Sequence, residues 1–220
     1  MKRRTATGGF QVAELILSIG IFALVGTVCF YAASSGFRIF ANASGRQVLQ
    51  RDARAIFTWL QRDVGLSNLV RCSSVAREEA GHRRDGLAVA AMDSWQQPLL
   101  VDSLGLPAWN RMVAYVATRD ARGLLLRQLY LPDGATLPLQ HEAIAAMLEP
   151  ALAGTLTPLD QRRLSGGVES FSVELSEPRN TVVFDLVLKE ATVQAGGGQS
   201  RQETLQVQTT IYPRNTWPRL

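Results

Sequence analysis

The chain opens MKRRTATGGFQVAELILSIGIFALVGTVCFYAA, and one residue in that stretch constrains everything after it. Between Phe10 and Ala33 the run is apolar, carries no Lys, Arg or His, and is broken by a single carboxylate, Glu14. An ionised side chain in a bilayer is costly, about 2.5–3.5 kcal/mol near its centre on insertion scales, so such a residue marks function by default. From Leu15 to Ala33 a helix rising about 1.5 Å per residue covers roughly 28 Å, close to the hydrocarbon thickness of a membrane. Lys2, Arg3 and Arg4 precede the run and a long polar region follows it. The positive-inside rule then keeps the short N-terminus cytoplasmic and exports the bulk.

Several kinds of segment meet part of this description. A secretory signal wants an apolar stretch of about 7–15 residues and a small-x-small cleavage site. Here the run is longer, Glu14 interrupts its start, and Ala32-Ala33-Ser34 is a weak site. A lipoprotein signal needs small residues before its cysteine, and Thr27-Val28 precede Cys29. A plain membrane anchor accounts for the length and leaves Gly8-Gly9 and Glu14 unexplained.

The ordered set of basic leader, Gly9, Phe10, three residues, Glu14 and apolar helix resembles the type IV prepilin and pseudopilin signal. The resemblance implies cleavage between Gly9 and Phe10 by a membrane prepilin peptidase, N-methylation of Phe10, and an assembly role for Glu14 as the fifth mature residue. The spacing is chemically sensible. Cleavage leaves a cationic amine at a helix N-terminus, where the macrodipole is already positive, and a carboxylate one turn on opposes both charges. In the family this glutamate is thought to pair with a neighbouring subunit's amine, and a buried pair is better at setting register than at adding stability. Methylation retains the charge. Ser18, Gly20, Ala23 and Gly26 lie on the same helix. Small side chains permit close helix approach in lipid.

The chain has 23 Lys+Arg against 19 Asp+Glu, a formal net charge of +4. Three of those cations are Lys2, Arg3 and Arg4, so removing residues 1–9 leaves 20 against 19. This near-neutral balance withdraws most compositional support for a polyanion-binding protein, and no nucleic-acid partner is expected. Tyr212, Arg214, Trp217 and Arg219 do mix aromatic and basic character near the C-terminus, where a strand end with a polar tail accounts for them. About 150 residues beyond the N-terminal helix suffice for one core.

Leu49, Ala53, Ile56, Leu60 and Val64 recur at three- and four-residue steps, with Arg51, Asp52, Arg54, Arg62 and Asp63 mostly off that stripe. This predicts an amphipathic helix continuing from the apolar one, roughly Phe10 to Asn68, with Gly36 and Ser44-Gly45 as the places where it could bend. If unbroken, that helix sets Cys29 and Cys72 roughly 65 Å apart, which excludes a disulfide between them. Cys72 is expected as a free, partly buried thiol. Arg77 to Arg84 reads as a polar loop.

Short apolar runs follow at Gly86–Met92, Met112–Ala117 and Leu124–Leu131, and a short helix is predicted over Leu139–Leu152, after Pro138. The runs Val168–Leu175, Thr181–Leu188 and Leu205–Ile211 alternate with period two, and Val182, Val183 and Val187 suggest burial on both faces. Such alternation predicts an antiparallel sheet. Ala195–Ser200 reads as the loop between the last two strands. Helix first and antiparallel sheet later gives an α+β class. The expected domains are a leader at 1–9, a transmembrane or filament-core helix at 10–34, an amphipathic helix at 35–70 and a periplasmic head at 71–220. The order is also pilin-like. The RDAR…LQRD helix, VAYVATRDARGLLLRQL and QVQTTIYPRN are similar to the J-type minor pseudopilins of type II secretion and to W-type minor pilins. Glu14 argues against the K-type tip pseudopilin, which typically lacks it.

No catalytic constellation is present in the sequence. His82 and His141 are its only histidines, and no dense Asp/Asn loop is present. A multi-histidine metal site and a six-oxygen calcium site are both out of reach. His82-Arg83-Arg84-Asp85 lacks the asparagine and glycine loop of a kinase catalytic segment. Glu78-Glu79 reads as a solvated pair. The expectation is a non-enzymatic subunit without cofactor or metal, set in the inner membrane with its head in the periplasm. Its partners would be the prepilin peptidase and other pilins or pseudopilins of a filament that it helps initiate or cap. A surface-displayed adhesin, a DNA-uptake pilin and a plain anchored periplasmic domain are the alternatives.

Overall fold

A helix that is apolar all round becomes amphipathic partway along, and the rest of the fold is organised about its second portion. The computed structural model describes residues 8–79, 81–92, 109–120, 123–132, 139–192 and 201–214. Two units are distinguished, Met1–Gly45 with Thr192–Arg201, and Arg46–Ala191 with Gln202–Leu220. Helix α1, Gly8–Leu66, supplies residues to both, and neither Gly36 nor Gly45 interrupts it. It ends two residues earlier than Asn68. The Asn68 side chain instead accepts the Val70 amide at 3.0 Å, capping a single 3-10 turn at Leu69–Arg71.

In the larger unit, all five residues of the predicted stripe are buried: Leu49, Ala53, Ile56, Leu60 and Val64. Each large one contributes about 1.5–3 kcal/mol of apolar transfer. Their partners come from an antiparallel sheet of β1 (Cys72–Val75), β4 (Gly86–Ala91), β5 (Arg111–Ala117), β6 (Leu125–Tyr130) and β7 (Asp160–Ser165), hydrogen-bonded in the order β1-β4-β5-β6-β7. Side chains alternate across a sheet. Leu87, Val89, Val113, Tyr115 and Leu125 therefore point into the core shared with α1. Ala88, Ala90, Met112, Ala114 and Val116 point the other way, onto Ile144, Leu148 and Ala151 of helix α2, His141–Ala153. Strands β4 and β5 are covered on both faces, which is why GLAVAA and RMVAYVA read as continuous apolar runs. Helix α2 closes on Gly154 in the left-handed region, φ 72°, whose amide reaches the carbonyls of Ala151 and Pro150. Glycine is the usual residue at such a helix end, because it meets no Cβ penalty there.

The remaining strands are β8 (Val168–Ser176), β9 (Thr181–Thr192) and β10 (Arg201–Ile211), in the order β10-β9-β8. Strands β8 and β9 are antiparallel, with Phe171 opposite Leu186 and Val173 opposite Phe184. Val168, Phe171, Phe184, Leu186 and Leu188 enter the same core as the α1 stripe. The architecture is α+β: a long N-terminal helix whose later portion packs in a core with antiparallel sheet, compatible with a pilin-like arrangement.

Several expectations need correction. Arg77–Arg84 is not simply a loop, because β2 (Glu78–Glu79) and β3 (His82–Arg83) form a small antiparallel ladder turning through Gly81 at φ 77°. Glu79 is half-buried and lies 3.6 Å from Arg119, so the acidic pair is not merely solvated. Asp63 is off the stripe in spacing yet buried. Cys72 is fully buried at the start of β1, and neither cysteine is in a disulfide. Val183 and Val187 are half-buried, unlike their fully buried neighbours Val182, Phe184, Leu186 and Leu188. Pro138, the Ala195–Ser200 loop, Trp217 and Arg219 lie outside the described residues.

Candidate functional site

The site residues expected from the sequence lie at the start of α1. Gly9 and Phe10 lie in its first helical turn, and Glu14 follows one turn after Phe10 with its side chain exposed. No ion pair reaches the Glu14 carboxylate among the described residues. Its backbone carbonyl accepts the Ser18 hydroxyl at 2.8 Å, and the Thr27 hydroxyl likewise bonds the Ala23 carbonyl at 2.7 Å. These two polar side chains are thus satisfied along the helix itself and ask nothing of lipid or of a partner.

Large apolar residues on every side of the helix are exposed from Val12 through Phe40, with Phe22 at 78% and Phe40 at 73%. A Cβ built on Gly20, Gly26 or Gly36 would meet nothing within 4 Å. Residues 12–40 would extend about 43 Å as helix, more than a bilayer's hydrocarbon layer of about 30 Å. An all-round apolar helix belongs in lipid or inside a helical assembly, not in water. This segment is long and apolar enough for one membrane span, with a window of mean hydropathy 2.3 of which 0% is buried.

At the other end, α1 is tied to the sheet by a buried polar cluster that the apolar pattern did not reveal. Asp63 accepts the Tyr115 hydroxyl at 2.7 Å, Arg127 Nε at 2.6 Å and Arg127 Nη2 at 3.2 Å. Burial pushes the Tyr115 phenol well above its ordinary pKa, and the neighbouring Asp63 charge adds to the shift. Burial works to lower the Arg127 value, but the hydrogen bond and charge of Asp63 outweigh it and hold the guanidinium above its usual range. Trp59, one turn before Asp63, carries the guanidinium carbons of Arg127, Arg162 and Arg62 at 4.6, 4.8 and 5.3 Å from its ring centroid.

The His82-Arg83-Arg84-Asp85 segment is a second such tie. The Asp85 carboxylate accepts the backbone amides of Arg77 (3.2 Å) and Val173 (2.8 Å) and Arg83 Nε (3.0 Å). Buried Arg84 donates to the carbonyls of Thr118 (2.7 Å) and Asp120 (2.8 Å). Apart from the Arg83–Asp85 ion pair, these bonds go to backbone groups, and together they join β3 and β4 to β8 and to the Thr118–Asp120 turn. His82 lies 3.8 Å from Glu169, half exposed, and His141 opens α2. Among the described residues no group of three or more His, Cys, Asp or Glu could hold a metal ion. Tyr212 and Arg214, just past β10, are exposed. The signal for the buried ties was weak but present: Asp63 and Asp85 each sit beside apolar runs with arginines in the sequence nearby. Comparison with protein-family models, with curated proteins and with solved structures finds no match to this chain.

Proposed function

We propose that the protein is a minor pilin or pseudopilin, a non-enzymatic filament subunit staged in the inner membrane with its head in the periplasm. The observation that carries this reading is Glu14: an exposed carboxylate without an ion pair among the described residues, one turn beyond Phe10, heading a helix whose apolar residues are exposed on every side. A plain anchor has no use for that charge. In a filament, the cationic amine created at Phe10 of a neighbouring subunit would neutralise it, while the small residues Gly20, Ala23 and Gly26 allow helices to approach.

The Gly8-Gly9 pair fits processing at Gly9–Phe10. The bond to be cut lies in a helical turn, and a peptidase must open that turn to reach it. Glycine disfavours helix by about 1 kcal/mol relative to alanine, so two in succession make opening easy. The prepilin peptidase and sibling pilins or pseudopilins are the partners this reading requires. The head would then help initiate or cap the filament.

The test is the N-terminal mass of the full chain expressed with and without a prepilin peptidase. A peptidase-dependent N-terminus at Phe10, heavier by one methyl group, about 14 Da, is the expected result. An intact Met1, or cleavage near Ala33, refutes the proposal.

A further inference from the structure

The last turn of α1 and the end of β10 border a groove of about 510 Å³, whose lining combines Arg62, Arg214, Gln61 and Thr210 with the apolar Leu66 and Ile211 and with Tyr212. Arg214 is set there by its backbone amide, which donates to the Gly65 carbonyl at 3.0 Å. Tyr212 stands 66% exposed at the rim. Arg62 belongs at once to the groove and to the cluster on Trp59, where Arg127 and Arg162 share the same ring. Of these three, only Arg127 has a carboxylate partner among the described residues, Asp63. Among the described residues no ion pair reaches Arg62, Arg162 or Arg214.

Such crowding of guanidinium groups is opposed by their mutual repulsion and sustained by the indole face, worth about 0.5–2 kcal/mol per cation. The C-terminal end of α1 offers only about half a unit of negative charge, too little to balance Arg62 and Arg214 together. The groove is therefore a local excess of positive charge, whereas residues 10–220 as a whole are near neutral. Its chemistry is specific. Two planar guanidinium forks suit carboxylates, Gln61 and Thr210 add neutral hydrogen-bonding groups, and Tyr212 offers an apolar face with a hydroxyl. A groove of this size takes a few side chains, and residues 10–220, with 20 Lys+Arg against 19 Asp+Glu, carry no large cationic excess for a nucleic acid to read.

We propose that this groove docks an acidic segment of a partner protein, with a carboxylate held by Arg62 and Arg214. The groove belongs to the head, so its test does not depend on processing at Phe10. The probe is a fluorescein-labelled hexaglutamate peptide, titrated by fluorescence anisotropy against the full chain in detergent micelles at low salt. Saturable binding is expected, weakened about tenfold in the Arg62→Gln/Arg214→Gln variant, and weakened in Arg214→Gln alone without a shift in the thermal midpoint, because only Arg62 stacks on Trp59. The Arg62→Glu/Arg214→Glu variant is expected to prefer hexalysine. If the paired substitutions impair folding, Arg214→Gln alone carries the test, since its side chain is exposed. Absence of saturable binding, equal affinity in wild type and variant, or tighter binding of a short oligothymidine than of hexaglutamate would each overturn the proposal.

Discussion

Replacing Asp63 by alanine should loosen α1 from the sheet more than any other single polar change in the head. The Asp63 and Arg127 side chains are only 6% and 12% exposed, and the Tyr115 hydroxyl is buried against the same carboxylate. Removing the carboxylate leaves a largely buried guanidinium without its counter-charge, a loss of about 3–5 kcal/mol, and strands a phenol hydroxyl that costs about 1–3 kcal/mol unpaired. The two terms share one environment and do not add fully, so about 4 kcal/mol is expected. For a head of this size, each kcal/mol moves the midpoint by about 2–4 °C, which gives a shift of about 10 °C. The assay is thermal and urea unfolding of the full chain in micelles, followed by near-ultraviolet circular dichroism of Trp59 and Tyr115. Asp52→Ala is the control, because its partner Arg51 is 78% exposed. An exposed pair of this kind should be worth less than about 0.5 kcal/mol. A combined Asp63→Leu/Arg127→Met/Tyr115→Phe variant should recover much of the loss by removing every orphaned group. If Asp63→Ala costs no more than Asp52→Ala, the clamp contributes nothing and the argument fails.

At Gly123 φ is +60°, and an added Cβ would lie 2.0 Å from the Val168 carbonyl oxygen. Gly123→Ala should therefore destabilise the head by about 2 kcal/mol or more in urea titration. Gly81 has φ +77° with nothing within 4 Å of an added Cβ. Gly81→Ala should cost only about 1 kcal/mol in the same titration. Burial raises the Cys72 thiol from 9.0 to about 12, so the folded state holds a proton that the unfolded chain loses above pH 9. Stability from this group is intact below pH 9 and falls as pH rises towards 12, by about 1 kcal/mol at pH 10, and Cys72→Ala should flatten that fall in pH-dependent urea melts. Glu14→Gln should leave membrane insertion intact and reduce filament incorporation at least about tenfold in sheared-filament immunoblots. Unchanged incorporation would remove Glu14 from assembly.

What was legible in the sequence follows from which forces leave a period. The stripe Leu49, Ala53, Ile56, Leu60 and Val64 was readable because each member faces one core at helical spacing, and β8, β9 and part of β10 alternated with period two. Strands β4 and β5 and helix α2 were found to within a residue or two. Strand β7 was missed because DQRRLS is rich in charge. An edge strand tolerates such residues, which face solvent and block further pairing. Strand β1, CSSV, is short and has only one large apolar side chain. The burial of Asp63, Arg84 and Asp85 was not legible because a buried charge is identified by its partners, and those lie 52, 64, 34 and 88 residues away in the chain. The expectation for Glu14 draws on the opposite kind of information, because the residues behind it all lie within one short stretch of sequence.

The stripe on α1 has a mechanical corollary. Leu49, Ile56, Leu60 and Val64 belong to the same apolar core as Phe171 and Phe184, so the residues that grip the helix are also those that keep the head folded. Tension carried along the helix into Arg46–Leu66 must be borne by that core and by the Asp63 tie, with no softer joint between grip and fold. Slippage and unfolding are then one event with one threshold. A head weakened anywhere in this core is equally a weaker handle on its own shaft.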